Sequence, residues 1–208
     1  MKHNIKLLIE NLFDDIYNIE DNKNLDTEFS DELLKYNITD LIYKHKKPYA
    51  ICCGKASEFE DNDPRFLLLT KPVFRQYAKI PSYLELLGKK TIKDENGFNN
   101  TQIIKNEYYS KSFPAFDYCI NLGTNVYLPA IKEIITLFKY NNNINNMLVK
   151  IPDINTYLFN TNILTNIKVL SSSQVNDDNY YCLFRNNEII EEHKLNSKNT
   201  LVYPFVKI

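Results

Sequence analysis

Glycine, tryptophan and cysteine are scarce in this 208-residue chain, which has four glycines, no tryptophan and four cysteines. Four glycines are too few for a glycine-rich phosphate-binding loop, and this excludes the common nucleotide-binding motifs. The cysteines, Cys52, Cys53, Cys119 and Cys182, show no CxxC spacing, so the usual zinc and redox motifs are excluded as well. We therefore expect buried thiols in a reducing compartment.

Long apolar runs and a strong net charge are also absent. No window approaches the length of a membrane span, and the N-terminus lacks the apolar core and cleavage site of a signal peptide. We expect no membrane insertion, and a protein that stays where it is made or leaves the cell as part of a larger particle. The net charge of −1 predicts no general attraction for nucleic acid. The basic run 44–47 is interpreted as a solvated segment end.

Asparagine, in contrast, occurs 28 times, and lysine and isoleucine are also abundant. The codons of an AT-rich genome produce this bias, so it carries no functional information. Asparagine tolerates left-handed backbone better than other residues with a side chain, so it can replace glycine in turns.

The first 45 residues predict a helical hairpin. Between residues 3 and 20, apolar side chains recur at helical spacing. These side chains are Ile5, Leu8, Ile9, Leu12, Phe13, Ile16 and Ile19. A second stripe follows Ser30, a candidate N-cap. Its members are Leu33, Leu34, Ile38, Leu41 and Ile42. The hairpin either packs on the rest of its own chain or presents its stripe to another chain.

Prolines and polar clusters predict the elements that follow. Pro48 precedes a strand, and Pro114 and Pro129 open two helices. The asparagine cluster 141–143 is expected to end the second helix, before a short helix over 145–151. Further strands are predicted at 65–69, 164–170, 180–185, 188–193 and 200–208, with Asn186-Asn187 as a hairpin turn.

An ordered series of short signatures begins at Leu128. In order, they are Leu128-Pro129-Ala130, Glu133-Ile134, Ser171-Ser172-Ser173, Phe184 before Asn186-Asn187, Lys194, and Val202-Tyr203-Pro204-Phe205-Val206. They resemble a bacterial and phage family of C-type-lectin-like domains. That family reads Leu-Pro-Ser-x-x-Glu-Leu, Trp-Ser-Ser-Thr, Phe-x-x-Gly, Lys and Val-Arg-Pro-Val. Asn99-Asn100-Thr101 matches an Asn-Thr that the family places before a short helix.

The resemblance implies an α+β fold: a C-type-lectin-like domain over residues 46–208, with a mixed or antiparallel sheet and two to three helices, preceded by the N-terminal helical hairpin over 1–45. The chain departs from the family at Leu170 for tryptophan, Ser173 for threonine, Asn187 for glycine and Tyr203 for arginine. Loss of the arginine would remove a buried ion pair, so the local bonding is expected to differ from that of the family.

No catalytic residue set is predicted. The same broad fold houses the formylglycine-generating oxidases, which need a reactive cysteine pair, but the four cysteines fall on predicted strands and on an apolar helix face. The three histidines, His3, His45 and His193, lie in polar stretches without an evident catalytic partner. No cofactor is predicted. The run 175–178 offers too few oxygen ligands for calcium, so no metal site is predicted either.

By resemblance to variable domains of this fold, a ligand-binding face is placed after the serine run, where polar and aromatic side chains are concentrated. Its predicted members are Asn176, Asp177, Asp178, Asn179, Tyr180, Tyr181, Arg185 and Asn187. Tyrosine, with 15 copies, also has the alternative role of replacing tryptophan and phenylalanine in the core.

These observations favour a non-enzymatic phage virion protein, acting as a surface fibre, decoration or receptor-binding module. Its expected partners are other virion proteins, bound through the N-terminal helices, further copies of itself in a homo-oligomer such as a trimer, and a host surface glycan or protein. The alternatives are a cytoplasmic bacterial interaction protein of the same fold and an oxidase of the formylglycine-generating fold.

Overall fold

The computed structural model describes residues 36–77, 96–107, 110–151, 168–174, 181–185, 188–192 and 200–208. The chain divides into two compact units, residues 1–35 and residues 36–208. The helix predicted over residues 3–20 and the first part of the second predicted helix lie outside the described residues.

The described strands form two five-stranded sheets. In the first sheet the neighbouring strands are, in order, β1 (Leu41–Lys44), β2 (Lys47–Gly54), β3 (Arg65–Leu68), β10 (Phe205–Val206) and β5 (Val126–Tyr127). In the second sheet they are, in order, β4 (Val73–Phe74), β9 (Thr200–Val202), β6 (Lys168–Gln174), β7 (Tyr181–Arg185) and β8 (Glu188–Glu192). The β6–β9 pair is parallel and the other pairs are antiparallel.

Four α-helices are described in the same unit, so the fold is α+β. They are α1 (Gly97–Glu107), α2 (Pro114–Leu122), α3 (Ile131–Lys139) and α4 (Asn141–Leu148). Short 3₁₀ turns lie at Ala56–Glu58 and Ser110–Ser112. None of these described helices has the length and apolar character needed to cross a membrane.

Alternate residues of a strand point to opposite sides, and both sides are buried in β3 and over residues 50–54 of β2. One core cluster contains Ala50 and Cys52 of β2 together with residues of α1 and α2, such as Ile104 and Phe116. The other contains Ile51 and Cys53 of β2 with residues of α3 and α4, such as Ile134 and Ile144. Strands of both sheets contribute to both clusters, so the strands form a central layer between two pairs of helices.

Several element predictions are confirmed. The strand after Pro48 and the strand that starts at Arg65 correspond to β2 and β3, and both are buried. Pro114 occupies the first turn of α2, where its missing N–H costs no hydrogen bond. The predicted hairpin of strands 180–185 and 188–193 corresponds to β7 and β8, which pair in antiparallel register from Tyr181↔Glu192 to Arg185↔Glu188.

The second predicted helix, whose apolar stripe ended at Ile42, is wrong at its C-terminal end. Leu41 and Ile42 lie on β1, opposite Ile51 and Ala50 of β2. Leu41 packs against one core cluster and Ile42 against the other, as neighbouring residues of a strand do. Pairing with a neighbouring strand, which is invisible in a local pattern, decides the conformation here.

The two helix predictions after Pro129 need correction at their ends. Pro129 precedes the N-cap residue Ala130, and the helix proper begins at Ile131. The asparagine cluster 141–143 forms the first turn of α4 rather than a loop. The predicted helix over 145–151 therefore begins at Asn141 and ends at Leu148. Burial of Ile144 and Leu148 against the core outweighs the weak helix propensity of asparagine.

The strands at the C-terminal end also differ from prediction. The predicted strand 164–170 ends before the serine run, but the serines lie inside β6. The predicted closing strand over 200–208 is two strands in two different sheets, β9 and β10. The break falls at Tyr203-Pro204, and the carbonyl oxygen of Pro204 accepts a hydrogen bond from the Leu68 N–H at 3.0 Å. Proline has no N–H for a sheet ladder, which fits its place at this crossing.

Candidate functional site

The site is centred on the loop Leu128–Ile131, which connects β5 to α3. Its N–H groups are bonded by side chains from three other parts of the chain. Leu128 N–H donates to Thr101 Oγ1 of α1 at 3.1 Å, and Ile131 N–H donates to Ser173 Oγ of β6 at 3.0 Å. Ala130 N–H donates to Glu133 Oε2 at 2.7 Å. Pro129 has no N–H, so every N–H of this loop has a partner.

Glu133 is the most buried carboxylate that the structure describes, with 1% of its surface exposed. It stands at the third position of α3 and caps the helix from inside by accepting the Ala130 N–H. The same oxygen accepts the N–H of Gly97 at 3.2 Å, at the start of α1. The other carboxylate oxygen accepts from Arg65 Nε and lies 3.4 Å from the Tyr127 hydroxyl.

Arg65 balances this buried charge. Its guanidinium also bonds both carboxylate oxygens of Asp61 and the carbonyl oxygen of Asp63. The ring of Phe59 lies beneath it, with its centroid 4.2 Å from the guanidinium carbon. All groups around the Arg65 guanidinium are therefore either acceptors or an aromatic face, the surroundings in which a buried arginine is stable.

The serine run ties the second sheet to the same loop. Ser172 N–H donates to the carbonyl oxygen of Pro129 at 2.8 Å, and its own carbonyl oxygen accepts from the Tyr77 hydroxyl at 3.1 Å. Ser172 Oγ accepts from Asn100 Nδ2 at 2.9 Å. We call the set Arg65, Thr101, Glu133, Ser172 and Ser173 the polar node. It joins β3 of the first sheet, β6 of the second, and helices α1 and α3.

The hydrogen-bond donors around Glu133 fit a charged pair at this node. Burial raises the pKa of Glu133 to about 7, although the charge of Arg65 and the N–H groups of Ala130 and Gly97 act to lower it. Burial acts to lower the pKa of Arg65, but Glu133 and Asp61 outweigh this and hold it above its ordinary value. Arg65 and the two backbone N–H groups can only donate, so they satisfy a carboxylate and not a carboxylic acid.

The chemistry available at the node is structural. Its charged and hydroxyl groups are buried and bonded to each other or to backbone, and no nucleophile stands beside a free base. Three cysteines are buried and free, Cys52, Cys53 and Cys119. Burial raises the pKa of Cys52 to about 11 and also raises the pKa values of Cys53 and Cys119, which opposes formation of a thiolate. Within the described ranges, no group of three or more metal-ligating side chains is present.

The predicted ligand-binding residues lie mostly outside the described residues. Tyr181 and Arg185 stand at the two ends of β7. The other six, Asn176, Asp177, Asp178, Asn179, Tyr180 and Asn187, are not described. Gln174 of β6 pairs with Tyr181 of β7, so residues 175–180 connect two neighbouring antiparallel strands. Only Tyr181 and Arg185 can thus be placed, on one strand of the second sheet.

Sequence reasoning missed Arg65 as the partner of Glu133. Tyr203, at the position of the family's arginine, predicted that the local bonding differs. A buried ion pair is present here, and its cation comes from β3. A single cation at the head of the apolar run 65–69 was the available signal, since a buried strand that starts with arginine needs a buried acceptor.

Comparisons of the chain with protein-family models, with curated proteins and with solved structures found no match.

Proposed function

We propose that the chain is a non-enzymatic virion structural protein of a phage, with a C-type-lectin-like domain that serves as a surface fibre, decoration or receptor-binding module. The N-terminal segment would bind other virion proteins or further copies of the same chain. The rim after the serine run would contact a host surface glycan or protein.

One observation carries this proposal: the residues on which the resemblance rests meet in space. Thr101, Glu133 and the pair Ser172-Ser173 are far apart in sequence, yet all bind the single loop that follows Leu128. A chance series of short matches has no reason to converge on one loop. This convergence on one loop supports the proposal.

The burial of this wiring supports a non-catalytic role. Thr101 and Ser172 are fully buried, and Ser173 and Glu133 are nearly so. A substrate cannot reach them without opening the core. We propose that these buried residues hold the fold together and that binding belongs to residues 176–181 with Arg185 and Asn187.

The experiment that tests the role is protein mass spectrometry of purified phage particles from the producing culture. We expect peptides of this chain at a fixed copy number per particle. Their absence from particles, with the protein present in the cell lysate, would overturn the virion role and favour the cytoplasmic interaction protein.

A second experiment tests the binding rim. The labelled full-length protein is incubated with host cells, and Tyr180→Ala with Arg185→Ala should reduce cell binding at least tenfold. The matched control is Asn142→Ala with Asn146→Ala, which changes exposed side chains on α4. Equal binding by both double variants would remove the rim from the proposal.

The oxidase alternative is tested by single Cys→Ser substitutions at each of the four cysteines. We expect each of these variants that remains folded to bind cells as the wild type does. Turnover of a peptidyl cysteine substrate by the wild-type chain, lost in one of these variants, would establish the enzyme instead.

A further inference from the structure

The hairpin between β1 and β2 carries four consecutive basic side chains at its tip. Lys44 and Lys47 pair across the last rung, and His45 and Lys46 form the two-residue turn. All four are exposed. The strands beneath are anchored, since Ala50 and Ile51 are fully buried, so the tip is a fixed feature of the surface.

The turn has a backbone conformation that does not suit its residues. His45 and Lys46 have φ values of 51° and 62°, the left-handed region that two-residue hairpin turns require and that Asn-Gly fills best. The chain has abundant asparagine and uses Asn62 at a φ of 50° elsewhere. Two basic residues therefore occupy the turn, although asparagine, which suits this conformation better, is common in this sequence.

The charges of the tip also repel each other. Lys44 and Lys47 face each other directly across the two strands, an arrangement that destabilises a hairpin. A lysine on an edge strand such as β1 discourages pairing with other sheets, and this accounts for Lys44 alone. Side chains that work against local stability in this way mark a binding function when they share one chemistry.

No acidic group in the described part of the chain forms an ion pair with the tip. The sequence contains no aspartate or glutamate between Asp40 and Glu58. Among the described residues, Lys139 pairs with Glu58 and Lys207 with Asp63, whereas Lys44, Lys46 and Lys47 form no ion pair. Asp40 lies at the opposite end of β1, about 13 Å along the strand from Lys44. The tip is a local positive surface on a chain of nearly neutral net charge.

Aromatic side chains accompany these cations. Tyr43 precedes the tip and is 51% exposed, the second highest exposure among the large hydrophobic residues described. Tyr49 is half-buried, and the Lys44 ammonium lies 5.2 Å from its ring centroid. Aromatic rings combined with a cluster of lysines are typical of surfaces that bind single-stranded nucleic acid, since bases stack on the rings and phosphates contact the cations.

We propose that the hairpin tip, Tyr43 to Lys47, binds single-stranded nucleic acid without sequence preference. Lysine ammonium groups act as point charges and suit single phosphates, whereas bidentate recognition of carboxylates uses arginine, which the tip lacks. The exposed ring of Tyr43 favours nucleic acid over an anionic lipid surface. The expectation against nucleic acid came from net charge, an average that conceals this local surface.

Fluorescence anisotropy of a short labelled oligothymidylate with the full-length chain tests the proposal. Three lysine contacts predict a slope of log affinity against log salt of about −2, which is a loss of roughly 20-fold between about 50 and 200 mM salt. His45→Asn with Lys46→Gly supplies the preferred turn, so the fold is retained. This variant should bind more weakly, with a slope smaller in magnitude by about 0.7.

Tyr43→Ala separates stacking from charge. It should lower affinity at least roughly fivefold with an unchanged salt slope, and Tyr43→Phe should keep most of the affinity. Three results would overturn the proposal: no measurable binding at low salt, wild-type affinity and slope in the Asn-Gly variant, or equal affinity for anionic vesicles with no effect of Tyr43→Ala. The last result would assign the tip to a lipid surface.

Discussion

At the scale of single residues, the buried pair Arg65–Glu133 is the most consequential feature of the described unit. Removing two charges from water costs several kcal/mol per ion, and their attraction offsets this only when the remaining polar atoms are bonded. Here they are, because Glu133 accepts from Arg65, Ala130 and Gly97. Loss of either partner would leave the other charge buried and unpaired, and that is more costly than loss of an exposed pair.

The first prediction concerns Arg65→Met. This variant keeps the apolar volume of the side chain but leaves the Glu133 carboxylate buried without its cationic partner. We therefore expect a loss of about 3–5 kcal/mol in the free energy of unfolding. Urea denaturation followed by circular dichroism measures it. Lys139→Met is the control, because that ion pair lies at the surface, and it should leave the midpoint close to wild type. Equal shifts in the two variants would refute the structural role of the buried pair.

Gly97 predicts a second effect. A Cβ at this position would lie 2.5 Å from the Leu128 carbonyl oxygen and 2.6 Å from the Ala130 nitrogen, both backbone atoms of the bonded loop. Gly97→Ala should therefore destabilise the protein by at least about 1–3 kcal/mol, measured by thermal unfolding. In Gly123→Ala the nearest atom is a methyl carbon of Val126 at 3.3 Å, so a much smaller change is expected. A neutral Gly97→Ala would contradict the close approach.

Glu58 predicts a dependence of stability on pH. Its partial burial acts to raise its pKa, but hydrogen bonds from Lys139, the Lys55 N–H and Tyr140 outweigh this and lower the pKa below the ordinary 4.5. A lowered folded pKa stabilises the protein above the unfolded value, and this stabilisation is lost as pH falls through the folded value. The stability difference between wild type and Glu58→Gln should thus be full near neutral pH and vanish in acid. A constant difference would contradict it.

At the scale of elements, the loop Leu128–Ile131 shows how a helix start is fixed by its surroundings. The first N–H groups of α3 have no partner within the helix. Ala130 at the N-cap has no side-chain acceptor, so Ser173 of β6 bonds the Ile131 N–H in its place. A nine-residue helix is marginal alone, and these bonds with core packing hold it.

Thr101 tests this dependence between elements. Thr101→Val keeps the shape of the side chain but removes the acceptor of the Leu128 N–H, leaving that buried donor unpaired. We expect a loss of about 1–3 kcal/mol in the free energy of unfolding by urea titration. Thr101→Ser retains the hydroxyl and should recover more than half of the loss. If valine and serine behave alike, the hydroxyl is not the stabilising group.

The outcome of sequence prediction follows from the range of each interaction. Local signals sufficed for β2, β3, α2 and the β7–β8 hairpin, because apolar spacing and proline positions determine them. They failed at Leu41–Ile42, where cross-strand pairing decides, and at Tyr203-Pro204, where the chain changes sheets. The bond between Arg65 and Glu133 joins residues 68 positions apart, and no local pattern reports such a contact.

At the scale of the whole molecule, the polar node links the two sheets. Ser172 of the second sheet bonds Pro129, and Arg65 of the first sheet bonds Glu133 of the helix that follows that loop. The two sheets share both core clusters, so opening of the node would expose apolar surface on each. We therefore infer that the described unit unfolds cooperatively and that the node belongs to its most stable part.

Native-state amide hydrogen exchange tests this central claim most directly. The N–H groups of Gly97, Leu128, Ala130, Ile131 and Ser172 are bonded within or around the polar node. We predict that all five exchange only through global unfolding, with the same opening free energy as the buried amides of β2. If these five amides exchange at rates typical of loops while β2 stays protected, the polar node opens locally. That result would contradict its assignment to the most stable part of the unit.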